Sequence, residues 1–216
     1  STYLTSLTGA LLTDQTIPQT VSNGRITFAQ GFKVGTNPTV GTYEEGKIFY
    51  DIGNKTLSAM VSTDVTLQIG QEEHVLCYNS TGTEIPNGKV VYPVGVFGQA
   101  LSIALARADY FTDFVDVGIT TQAIPDGAYG LVTVRGLVRE IDTSLFLSGE
   151  ILFLSETTAG EFTNIQPTSM NYPLIKIGGV VASDSVSGSI YVKVLTSIRL
   201  SDLVDVEVVS PMTDQV

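Results

Sequence analysis

Helical periodicity is hard to find in this chain, whereas short apolar or alternating runs bounded by Gly, Pro, Asn and Asp recur from one end to the other. A period of two places alternate side chains on opposite faces of an extended backbone, so such runs specify strands that bury one face. RITFA, VTLQI, HVLCY, KVVYP, YGLVTVRGLV, EILFLS, LIKIGGVVA and SIYVKVL all read this way. The clearest unit is GKIFYDIGNKTLSAMV, residues 46–61. Its Gly53-Asn54 centre offers the two residue types that most readily take positive φ, which predicts a tight hairpin. Between the strands, NSTGTEIPNG, AIPDGAYG and ETTAGEFTNIQPTSMNYP combine Gly or Pro with small polar residues and read as turns. Only GQALSIALARADYFTDF, residues 98–114, has the make-up of a helix, and its alternating Leu101, Ile103 and Leu105 favour a strand. The expected fold class is all-β: a compact sandwich-like or barrel-like module with a hairpin-rich N-terminal region and extended terminal arms.

Composition divides the chain into segments. The first forty residues are rich in Thr, Ser and Gln, with Arg25 and Lys33 as their only basic side chains. Polar stretches of this kind order against a partner rather than around a core of their own. The expected organisation is a docking arm at residues 1–42, a hairpin connector at 43–70, the main β module at 71–195 and a connector at 196–216. With 43% hydrophobic residues, the chain has enough apolar surface for a genuine core.

Charge narrows the function classes. Eleven basic side chains face 22 acidic ones, a net charge of −11, and such a field repels phosphate backbones and anionic membranes. Neither nucleic acid nor membrane is expected as a partner. The N-terminus carries no positive charge ahead of its short apolar stretch and no run reaches the length of a membrane span, so a soluble, non-secreted chain that has lost an initiator Met is expected.

The residues capable of chemistry are few. Cys77 and His74 are the sole Cys and His. Alternation in EEHVLCYN turns them to opposite faces, which predicts a buried structural cysteine and a half-exposed histidine rather than a nucleophilic pair. Acids cluster at Glu44-Glu45, at Glu72-Glu73 and at Asp113 and Asp116. Neighbours along a strand diverge, whereas glycoside hydrolysis needs two carboxyls converging across a cleft. Asp202, Asp205 and Glu207 lack the ligand spacing and the Gly of a calcium loop and read as solvated. Gly95, Gly98, Gly178 and Gly179 lack a phosphate-loop context and read as turns or bulges where backbones approach closely. Asn54-Lys55-Thr56 and Asn79-Ser80-Thr81 fit the glycosylation triplet but carry no weight without a secretion signal. No catalytic residue, cofactor or metal is assigned.

In order along the chain come EGKIFYDIGNKTLS, VTLQIGQEEHVLCYNSTGTEIPNGKVVYP, ALARAD, GITTQAIPDGAYGLVTVRGLVREIDTSLFLSGEILFLSETTAGEFT, PLIKIGGVVASDSVSGSIYVKV and LSDLVDVEVVSP. This succession resembles a module of tailed-bacteriophage structural proteins found in tail fibres, head fibres and similar appendages. It covers about Gly41 to Pro211, and its order is more telling than any one motif. The resemblance implies a homotrimeric virion component, assembled in the host bacterial cytoplasm, with no catalytic residues in the module. The implied partners are further copies of the chain, capsid, collar or tail proteins, and a distal fibre or receptor-binding protein. Leu200, Leu203, Val204, Val206 and Val208 are too apolar for a free tail and are the expected assembly contacts with a symmetry-related subunit. Two alternatives stay open: a capsid decoration protein, and, ranked last, a polysaccharide depolymerase.

Overall fold

The structure is a computed structural model and describes residues 33–37, 43–111, 116–167 and 172–196. The chain divides between Lys33 and Val34 into two units, and the second holds every described strand. The five expected assembly contacts from Leu200 to Val208 lie outside the described residues, as do the run RITFA, Asp113 and the acids from Asp202 to Glu207.

The expectation of an all-β chain holds. Strands β1 (Ile48–Asp51), β2 (Thr56–Met60) and β3 (Thr66–Gln68) form an antiparallel sheet of three. A second sheet takes β4 (Glu73–Asn79), β5 (Val90–Phe97), β6 (Ala100–Leu105), β7 (Gly118–Thr120) and β8 (Tyr129–Ile141). It continues with β9 (Ile151–Leu154), β10 (Phe162–Thr163), β11 (Ile175–Ala182) and β12 (Gly188–Thr196). The segment after Gly98 is the expected strand, followed by one 3-10 turn at Ala108–Tyr110. Among the described residues no helix is long and apolar enough to cross a membrane.

The larger sheet closes partly on itself. Strand β8 pairs with β4 through Tyr129–Arg135 and with β7 through Val132 and Thr133; β4 pairs with β6, β6 with β5, and β5 with β7. Five strands thus form a ring, and the second half of β8 leads out of it to β12, β11, β9 and β10. Closure gives each ring strand a partner on both sides along part of its length. Period-two alternation then gives two cores. Val91, Cys77, Ile103 and Val132 meet inside the ring, while Val90, on the opposite face of β5, joins Ile119, Val138, Leu152, Ile177, Ile190 and Val192.

One end of the ring is plugged by two loops of similar sequence, Ile85-Pro86-Asn87-Gly88 and Ile124-Pro125-Asp126-Gly127. Ile85 and Ile124 exchange both backbone hydrogen bonds, at 2.9 and 2.8 Å, and their side chains are 1% and 0% exposed. Gly88 and Gly127 each take positive φ and donate to Thr120 O and Asn79 O respectively. Asn79, the first residue of a glycosylation triplet, is 0% exposed and serves this junction instead.

The hairpin at residues 46–61 forms, but its turn differs from the expected one. Four residues, Ile52 to Lys55, connect β1 and β2, and positive φ falls on Lys55 rather than on Gly53-Asn54. The reason is Asp51, whose carboxylate accepts from Gly53 N, Asn54 N and Asn54 Nδ2 and holds both in the turn. Gly98-Gln99 makes the two-residue connection from β5 to β6, and Gly95 ends a register shift within β5, as expected of that glycine pair.

Candidate functional site

The chain from β3 to β4 makes a sharp turn. Gly70 adopts φ +85°, Gln71 N and Glu72 N both donate to Gln68 O, and the Glu72 side chain is carried inward against Gly136 of β8. A Cβ at Gly136 would lie 2.6 Å from Glu72 Cγ, and its φ of +124° is one that side chains rarely adopt. Gly136 therefore makes the room that Glu72 occupies.

Glu72 is buried, its side chain 2% exposed, and both oxygens are engaged. Oε1 accepts from Arg139 Nη1 at 2.7 Å and Oε2 from Gln68 N at 3.0 Å, while the same Arg139 nitrogen reaches Gln68 Oε1 at 3.0 Å. This cluster ties the three-stranded sheet to β8. Glu73 points the other way, its side chain 66% exposed, so these neighbouring acids diverge as expected. Arg139→Met would strand a buried carboxylate. The expected loss is about 2–3 kcal/mol, less than for a wholly enclosed pair because Arg139 is 36% exposed. Urea unfolding checks this, and adding Glu72→Gln should recover part of the loss.

His74 departs from expectation. Its imidazole is 5% exposed, not half exposed; Glu72 Oε2 lies 3.9 Å from Nε2, and among the described residues neither ring nitrogen has a hydrogen-bond partner. Burial pushes its pKa down, and Arg139 adds to this while Glu72 opposes it. The unfolded chain therefore takes up the proton first as pH falls below 6.5, and the stability held by the neutral ring, complete above that value, is lost below it. The urea midpoint is expected to fall between about pH 7 and pH 5, with a shallower slope in His74→Gln. Cys77 lies across the strand inside the ring, 3% exposed, its thiol pushed up to about 11 by burial. The two residues are not brought together.

Glu72, His74, Gln68 and Arg139 form one wall of a cavity of about 670 Å³ between the three-stranded sheet, β8 and residues 121–123. Asp51, Asn37 and Asn54 also line it, with Phe49, Met60, Val65 and Leu137 as apolar surface. The bonds from Asn54 and Asn37, together with the turn's backbone N–H groups, hold the Asp51 carboxyl below its ordinary pKa. Glu140, an exposed lining residue, lies in left-handed backbone, φ +58°, its carbonyl accepting from Asn87 Nδ2. Among the described residues no three His, Cys, Asp or Glu side chains converge as metal ligands. Sequence reading missed this cavity: LQIGQEE signals a turn, but only the fold brings Arg139 to Glu72. No protein-family model and no curated protein matches the chain.

Proposed function

We propose that the chain is a non-enzymatic structural component of a tailed-bacteriophage particle: a trimeric fibre or spike, or the part that anchors one to capsid, collar or tail. The observation that carries this reading is the ordered run of motifs from about Gly41 to Pro211. The surface of the ring supports it. Leu76, Phe97 and Tyr129 are each about half exposed, with Tyr78 stacked on Phe97 at 3.9 Å and edge-on to Tyr129 at 5.2 Å. An exposed aromatic face marks a contact surface, and closed threefold symmetry buries such a face on every copy. The partners in this reading are two further copies, neighbouring virion proteins and a distal fibre or receptor-binding protein.

Mass photometry of the purified chain tests the assembly state. The expected species has three times the chain mass of 23.0 kDa, and a monomer counts heavily against a fibre. Labelled particles should show few copies at unique positions; saturation of many capsid sites would instead mean a decoration protein.

A further inference from the structure

We infer that the cavity beside Glu72 binds a neutral polyhydroxylated ligand, a sugar ring of a short saccharide. A volume of about 670 Å³ falls within the range of small-molecule sites. Its chemistry selects the class. Gln68 is 4% exposed, and its Nε2 has no hydrogen-bond partner among the described residues, since the cluster uses only its Oε1 and backbone N. Gln122 likewise spends Oε1 on Ser62 and leaves Nε2 open. Open acceptors line the same cavity: the Glu140 carboxylate and an Asp64 oxygen, both on exposed residues, with the Thr121 hydroxyl able to serve either way.

An anion would meet the carboxylates of Asp51, Asp64, Glu72 and Glu140 against the single guanidinium of Arg139. A cation would be drawn toward these carboxylates, but those of Asp51 and Glu72 already accept bonds within the protein, and a cation would leave the amide N–H donors of Gln68 and Gln122 unsatisfied. A hydroxyl both donates and accepts, so it alone satisfies a wall that mixes the two, while Phe49, Met60 and Leu137 supply apolar surface for the C–H face of a ring. Glu140 in left-handed backbone is the kind of local strain that collects at binding sites. This inference does not rest on the assembly reading.

Saturation-transfer NMR on the full chain would use glucose, galactose, N-acetylglucosamine and their disaccharides, with glucose 6-phosphate and putrescine as charged probes. The same neutral sugars attached to a surface through their reducing ends report the end of a polymer, and free sugars report a free ligand. At least one neutral sugar is expected to bind in one of the two formats and neither charged probe to do so. Gln122→Ala and Glu140→Gln, outside the Glu72 cluster, are each expected to weaken binding about tenfold with the fold intact. Failure of every neutral sugar in both formats, binding of putrescine or glucose 6-phosphate instead, or unchanged affinity in both variants would overturn the inference.

Discussion

Gly178→Ala is expected to lower the unfolding free energy by about 3 kcal/mol or more, while Gly179→Ala, one residue on, costs under about 1 kcal/mol. At Gly178 the ladder between β11 and β12 shifts register, and the backbone of Tyr191 and Val192 passes directly over the residue. A Cβ there would collide with the Tyr191 carbonyl oxygen and sit 3.0 Å from Tyr191 C and 3.2 Å from Val192 Cα. These are backbone atoms of β12 held on both sides by β8 and β11, and β11 is itself held by β9, so no side-chain rotation relieves the clash. Gly179 meets only Glu150 O at 3.4 Å, an ordinary contact, and loses less chain entropy on folding once it carries a methyl group. Equal losses in the two variants, read from urea unfolding midpoints, would mean that the close approach at Gly178 is not the cause.

The contrast between these glycines marks where sequence reading ends. A Gly-Gly pair in a run of β-branched residues announces a bulge or a close approach, and the bulge is there. Which glycine is irreplaceable depends on what passes over it, which is set by pairing with a strand that begins ten residues later. The same division runs through the fold. β4, β6, β8 and β12 were legible because period-two alternation is a local property of the chain. The closure of β7 on β8 and the parallel pairing of β4 with β6 were not, since no local signal records which edges meet. The hairpin at Asp51 shows a finer limit: Gly53-Asn54 suits positive φ, yet the Asp51 carboxylate binds their N–H groups and moves the left-handed residue to Lys55. The candidate site was the least legible part. Glu72 reads only as one of two adjacent, diverging acids until Arg139, 67 residues away, and the space above Gly136 are seen. His74, expected to be half exposed, has its imidazole turned inward beside that same Glu72.

The second large effect is expected at Asn79. Its Nδ2 donates to Thr83 O and Ile124 O, both at 2.8 Å, and its Oδ1 accepts from Thr81 N at 3.0 Å and Thr81 Oγ1 at 2.7 Å. One wholly buried amide thus joins the two loops whose isoleucines plug the ring. Asn79→Ala removes all four bonds. Thr83 O can take the Thr81 hydroxyl, whose single proton Asn79 Oδ1 no longer claims, and Ile124 O keeps Ile85 N, so the loss is that of the bonds rather than of stranded carbonyls, about 3–4 kcal/mol. Asn79→Asp separates this account from a simple packing loss. Aspartate preserves shape and the acceptor for Thr81 but turns an oxygen toward two carbonyl oxygens, so at neutral pH it should destabilise about as much as alanine. Its ionised form is disfavoured only in the folded state, which raises the folded pKa above the unfolded one. The folded chain then binds the extra proton, and stability relative to the parent should rise as the pH falls toward about 4, when a protonated carboxyl can donate again. Urea midpoints for the parent, Asn79→Ala and Asn79→Asp chains at several pH values check this. If Asn79→Asp tracked Asn79→Ala at every pH, the two donated bonds would not be what holds the loops together.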